Sequence, residues 1–226
     1  MCGRFTQQRP TSELAEIFEA TDLADDPGGH YNVAPTDAAA VVVQRDDARA
    51  IVRFRWGLIP HWADSPRIAS RTINARAETV GSMPAFRDAL RRRRCLVPVD
   101  SFYEWRREGT ARQPYGIARA DGRPLVLAGL WAGWRDEAAG SVRRTFTIIT
   151  TRASRQVGEL HDRMPVVLGP ETWDRWLDTR HADLGELHGL LVPSVAPLEI
   201  YPVVPLVNNI RNNGPELLAP LGRASG

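Results

Sequence analysis

The sequence contains no lysine: all 29 basic residues of the 226-residue chain are arginine. Codon bias accounts for such a replacement, but the chemical consequence holds whatever its origin. The one primary amine is the α-amino group at the N-terminus, so any Schiff base this protein makes is made there. Cysteine is scarce too, with only Cys2 and Cys95 present. Two thiols are too few for a disulfide framework, and the absence of CxxC spacing leaves no reason to expect a metal or another cofactor. Nothing approaches the roughly 18 consecutive apolar residues of a membrane span, and the start lacks the basic and then apolar pattern of a signal peptide. A cytoplasmic protein with no membrane partner is therefore expected. Strong charge is also missing, because a net +2 is too small by itself to demonstrate a polyanionic partner.

What is present has the composition of a globular protein, 43% hydrophobic and 25% charged, at a length that suits one domain with a substantial core. "CGRFT" reads as a short strand. From Thr11 to Ala20, Leu14, Ile17 and Phe18 recur at helical spacing behind an acidic first turn. "AAAVVVQRDDARAIVRFRWG" reads as two strands across a turn at Asp46 and Asp47. "MPAFRDALRRRR" predicts a helix, and "CLVPV" a buried strand after it. Residues 101–134 read as successive strands with turns at Gly109 and Asp121-Gly122, and "RRTFTIITT" as another strand rich in β-branched residues. "PETWDRWLD" and "ADLGELHGLL" predict late helices, with extended chain again from "YPVVPLVNNI". Strands outnumber helices and come mostly as hairpins. The expected fold is α+β: one domain over residues 1–220, a mixed, largely antiparallel, barrel-like sheet core with peripheral helices, and a disordered tail over residues 221–226.

The chain begins "MCGRF". If Met1 is removed, Cys2 presents a thiol and an α-amine on adjacent carbons, with reference pKa values of about 8.5 and about 7.7–8. The amine condenses with an aldehyde to an imine, and the thiol then closes a thiazolidine ring. Against this stands the plain alternative that a cysteine in second place is an accident of the start.

Four more stretches carry polar groups suited to chemistry. In "TINARAET", Asn74 can hold an amine or carbonyl by hydrogen bonds and Arg76 can grip a phosphate, although an asparagine in a turn is commonly structural. In "SFYEWRRE", alternation puts Phe102 and Glu104 on one face and Tyr103 and Trp105 on the other. Glu104 beside a ring would have a raised pKa and could act as a general acid, or it could pair with an arginine. In "HDRMPVVL", His161 suits proton transfer and Arg163 a phosphate, whereas His30, His61, His181 and His188 lack a comparably charged and ordered context. "RWGLIPHWAD" interleaves Trp56 and Trp62 with arginines, as single-stranded nucleic acid binders do and as a core also does; the core is the better assignment for Trp56. The run Arg91 to Arg94 reads as a solvated helix end.

Seven blocks in order, "MCGRF", "YNVAPT", "WGLIPHW", "INARAET", "RCLVPVDSFYEW", "HDRMPV" and "VNNIRNNGPELL", resemble the SRAP family of SOS-response-associated peptidases, or abasic-site processing proteins. The resemblance implies autoproteolytic removal of Met1 and a thiazolidine link from Cys2 to the opened sugar of an abasic site in single-stranded DNA, with weak lyase activity. It implies that Asn74 positions the Cys2 amine, that Glu104 and His161 handle protons, and that Arg4, Arg76 and Arg163 contact phosphates while Trp62 wedges beside the damaged nucleotide. The implied partner is single-stranded DNA, the implied state a monomer, and the implied location nucleoid-associated. Ser101 departs from the glycine expected before the aromatic pair. Two other functions stay open: an N-terminal-nucleophile amidohydrolase, which also begins Met-Cys-Gly, and a non-enzymatic reader of single-stranded or modified DNA.

Overall fold

Residues 2–180 and 183–221 are described by a computed structural model; Met1, His181, Ala182 and residues 222–226, which hold most of the expected tail, lie outside the described residues. Along the chain run β1 (Phe5–Gln7), α1 (Thr11–Phe18), β2 (Ala20–Asp22), β3 (His30–Val33), β4 (Ala38–Arg45), β5 (Ala48–Trp56), β6 (Asn74–Arg76), α2 (Arg87–Arg92), β7 (Arg94–Val99), β8 (Ser101–Glu108), β9 (Ala111–Arg119), β10 (Leu125–Asp136), β11 (Ser141–Arg152), β12 (Arg163–Pro165), α3 (Trp173–Leu177), α4 (Leu184–Leu190) and β13 (Leu198–Pro202).

Strands β11, β10, β7, β4 and β5 pair in that order, each antiparallel to the next. β5 then returns to β11 in parallel through Arg55↔Thr145 and Trp56↔Phe146, which closes the circuit into a small barrel. Alternate residues point inward and outward, and both directions are apolar. Val41, Phe54, Val97, Leu127 and Phe146 fill the interior, while Val42, Ile51, Leu96, Ala128 and Ile149 form an outer layer. Helices α1 to α4 cover that outer layer with Leu14, Phe18, Leu90, Trp176 and Leu187. Burial on both sides is why these strands read as unbroken apolar runs such as "AAAVVV" rather than as an alternation. Gly129 makes the interior fit: a Cβ there would lie 2.8 Å from the sulfur of Cys95, which is wholly buried as core. Gly57 ends β5 at φ +116°, and a Cβ on it would lie 2.8 Å from the Ala69 carbonyl, so the sharp exit from the barrel needs glycine.

A second sheet, ordered β13-β9-β8-β1-β3 and antiparallel throughout, lies against the barrel. β1 joins it at the centre, with Phe5 opposite both Phe102 and Val33. Ser101 is buried there, its hydroxyl 3.0 Å from that of Thr6 and its amide donating to the same oxygen. The serine in place of glycine thus ties β8 to β1. The result is the expected single α+β domain with a barrel-like core. Among the described residues, no helix is long and apolar enough to cross a membrane.

Five local expectations are corrected. α1 stops at Phe18 because Glu19 adopts the left-handed conformation, and Ile17 stays 37% exposed instead of joining Leu14 and Phe18. The helix expected over residues 83–94 is a series of turns followed by α2, and the last arginine of the run belongs to β7. Arg94 is not solvated: only 1% exposed, it donates to the carbonyls of Leu90, Arg91, Trp176 and Asp178. Burial pushes its guanidinium down to about 10. After β13 the chain turns at Pro205 into a 3-10 helix over Pro205–Asn208, since proline suits the first helical position. His30 also has a charged context after all, its Nε2 lying 2.8 Å from the buried Asp26 carboxylate.

Candidate active site around Cys2

The insertion of β1 between β8 and β3 carries the residues before it into the interior. Cys2 is fully buried, its thiol 3.9 Å from the Arg4 carbonyl, and the Arg4 carbonyl also accepts from the Tyr103 amide at 2.9 Å. Burial pushes the Cys2 thiol far up from its ordinary value, and the Glu104 carboxylate pushes the same way. This differs from the near-neutral thiol expected from its reference value, because the side chain is withdrawn from water beside a carboxylate. Asn74 opens β6, which pairs in parallel with β11 through Ile148↔Asn74. Its Nδ2 donates to the Cys2 carbonyl at 2.7 Å, while its buried Oδ1 has no hydrogen bond among the described residues. Asn74 therefore grips the backbone of Cys2 from one side and offers a spare acceptor.

Glu104 comes from β8 and is 3% exposed. Burial raises its carboxyl above the ordinary range, and its electrostatic interaction with His161 opposes that rise. A carboxyl so placed holds a proton at a higher pH than a surface glutamate and sits close enough to influence the thiol. His161 lies on the turn before β12, where its Nδ1 accepts from the Arg163 amide at 2.9 Å and lies 2.8 Å from Asp162 Oδ1. Cys2, Asn74, Glu104 and His161 thus gather from four separate stretches of chain.

The cationic residues divide. Arg76 is exposed at the end of β6. Arg163 is committed to Glu78, its Nη1 and Nη2 reaching the two carboxylate oxygens at 2.6 and 3.0 Å, with Nη2 also 2.7 Å from the Thr150 carbonyl. Arg4 donates from Nη1 to Asn32 Oδ1 at 2.7 Å and to the Val207 carbonyl at 2.9 Å, and its guanidinium stands 5.7 Å from the Trp105 ring centre. Asn32, buried, also donates to the carbonyls of Asn209 and Asn212. Beside Arg4 lies a cleft of about 390 Å³ lined by Gly3, Trp105, Arg112 and Asn208. Sequence reasoning assigned no role to Glu78, Asn32, Trp105 or Asn208. All four lie in the quoted blocks, and block membership was the one available signal. Trp62, 49% exposed, sits on the loop after β5, where the adjacent Ala63 carbonyl accepts from the Trp134 indole at 2.6 Å. Among the described residues, no group of three or more His, Cys, Asp or Glu side chains is placed to hold a metal ion.

A one-domain α+β barrel that buries its second residue, a cysteine, against an asparagine and a protonatable carboxyl defines a class of proteins built around the start of the chain. The chain belongs to the SRAP family: the family profile described as "SOS response associated peptidase (SRAP)" matches residues 1–210. It is 38% identical over 222 residues to the abasic site processing protein YoqW of Bacillus subtilis, covering 96% of this chain and 99% of that one. It is 32% identical to the abasic site processing protein YedK of Escherichia coli, covering 98% of this chain and 100% of the relative. Among solved structures, a protein from Bacteroides thetaiotaomicron superposes with a TM-score of 0.87 at 26% identity, over 97% of this chain and 99% of that one.

Proposed function

We propose that this protein processes abasic sites in single-stranded DNA by forming a covalent thiazolidine through Cys2 once Met1 has been removed. The observation that carries this reading is the convergence on Cys2 of Asn74 and Glu104, with His161 acting on Glu104, in a chain whose relatives are named abasic site processing proteins.

An abasic site is an aldehyde in equilibrium with its closed sugar. The freed Cys2 amine adds to C1′ and water leaves, giving an imine; the thiol adds to the imine carbon while its proton passes to the imine nitrogen, giving the ring. Glu104 in its protonated form donates to the departing hydroxyl and, once ionised, takes the thiol proton, so a raised carboxyl suits both halves. His161 assists opening of the sugar and reversal of the link. Asn74 holds the Cys2 carbonyl, and its spare Oδ1 is an acceptor for the amine. An imine left open acidifies the neighbouring carbon and leads to β-elimination, the weak lyase route; ring closure suppresses it. With no lysine in the chain, no internal amine competes. The phosphates flanking the site meet Arg76 and the free side of Arg4, with Trp62 wedged beside the gap. Arg163 joins them only if a phosphate displaces Glu78.

The test is intact mass of the purified protein, followed by incubation with a single-stranded oligonucleotide carrying one abasic site and denaturing electrophoresis. Loss of Met1 and a denaturant-stable adduct that is absent in Cys2→Ala are expected. A protein that lacks Met1 yet forms no adduct, and instead releases ammonia from glutamine, would belong to the amidohydrolases.

A further inference from the structure

The barrel is closed at only two residue pairs on one side. β5 meets β11 at Arg55↔Thr145 and Trp56↔Phe146, whereas nearer the start of β5 its free edge pairs with β2 through Arg49, Ala50 and Ile51. Between these points β5 and β11 diverge, and a cleft of about 730 Å³ opens at that end of the barrel. Strand alternation determines what faces it. Val43, Phe54 and Phe146 belong to the inner core, so Arg45, Val52 and Arg144, each two residues away on its strand, share the inward face and line the cleft. Trp131 and Val142 line it as well.

The lining combines two kinds of surface. Phe54 and Trp131 form an aromatic floor, with ring centres 5.4 Å apart at 43°, and Val142 beside them is 52% exposed. Arg45 and Arg144 stand over this floor without a hydrogen bond or ion pair among the described residues. Arg53 on the rim is already held by Asp26 at 2.8 Å, and Asp46 is the acid on the rim, at the tip of the β4–β5 hairpin. Concave sites at barrel mouths with an apolar floor and a few converging polar groups are where small ligands bind, in volumes of roughly 300–1,000 Å³. Two uncommitted guanidinium groups select for an anion, and an aromatic floor selects for a flat body.

We propose that this cleft binds a small organic anion with a flat aromatic body, of mononucleotide size, its ring against Phe54 and Trp131 and its charge between Arg45 and Arg144. The site is separate from Cys2. Val142 precedes Ile148, the partner of Asn74, by six positions on β11. At about 3.3 Å per residue that is on the order of 20 Å.

Calorimetric titration with two phosphates, 2-naphthyl phosphate and deoxyadenosine monophosphate, against their neutral counterparts 2-naphthol and deoxyadenosine tests the assignment. At least one phosphate is expected to bind tenfold or more tightly than its neutral counterpart. The Arg45→Gln/Arg144→Gln double variant is expected to erase that ratio, and Val142→Trp, which fills the opening, to abolish binding, both with wild-type circular dichroism. A protein that binds neither phosphate, or binds each no better than its neutral counterpart, overturns the proposal. So does tenfold preference that survives the double variant, since the phosphate would then sit elsewhere. A dimer in sedimentation that Val142→Arg dissolves would assign the face to a second copy instead.

Discussion

Glu104 handles the protons in the proposed reaction, and its burial has a cost that can be measured. Its folded pKa lies above the ordinary value, so the carboxyl binds its proton more tightly in the folded state than in the unfolded chain. That favours folding below the unfolded pKa of about 4.3 and is lost as pH rises through the raised folded value. Glu104→Gln, which cannot ionise, is expected to melt at a higher temperature than the wild type at pH 7, with the gap shrinking toward pH 4. The same variant is expected to lose roughly 100-fold or more in the rate of adduct formation, the ordinary share of a general acid–base group. A wild-type rate would remove Glu104 from the mechanism.

Cys2 separates the two halves of the proposed reaction. A serine there keeps the amine but closes a ring poorly, so Cys2→Ser with Met1 removed is expected to turn a stable adduct into strand cleavage, read on a denaturing gel. If it gave neither product, the imine step would be wrong. At this scale the sequence was most legible: Cys2, Asn74 and Glu104 were singled out from residue type and local pattern, and the structure brings them together. The commitments of Arg4 and Arg163 were not legible, because each is set by a partner far along the chain, Val207 and Glu78.

Among the elements, hairpins were read correctly because their turns are local. Asp46, at φ 51°, and Gly109, at φ 61°, sit where the turns were expected. The closure of the barrel by β11 on β5 was invisible, being a short parallel pairing between residues 55–56 and 145–146. The same distance hid the role of Arg94, since what distinguishes it from its three neighbours is a set of carbonyls at the end of α3. Arg94→Met is expected to strand those buried carbonyls and destabilise the protein by about 3 kcal/mol, seen as a lower midpoint in urea at unchanged slope. A shift under half that size would mean that water reaches the carbonyls.

For the whole molecule, a net +2 leaves DNA affinity to the placement of a few arginines rather than to total charge. On single strands each phosphate contact contributes about 0.7 to the slope of log affinity against log salt. Arg76→Gln is therefore expected to lower that slope by about 0.7 and to weaken binding chiefly at low salt. Arg163→Gln is expected to leave the slope alone, because its charge is spent on Glu78. Equal slopes for Arg76→Gln and the wild type would take Arg76 off the DNA path. The α+β class was legible at this scale from the hairpin spacing, whereas the cleft at the barrel seam was not, since it depends on where two strands stop touching.

The Arg4 contact with the Val207 carbonyl joins residues 203 positions apart. A ribosome adding about 5–20 residues per second needs on the order of 10–40 s to make the second partner after the first has emerged. Through that interval the Arg4 contact with Val207 is unmade, and "MCGRF" is open to enzymes that trim nascent chains. On the proposed function, the order of synthesis thus provides a window for uncovering the Cys2 amine before folding hides it.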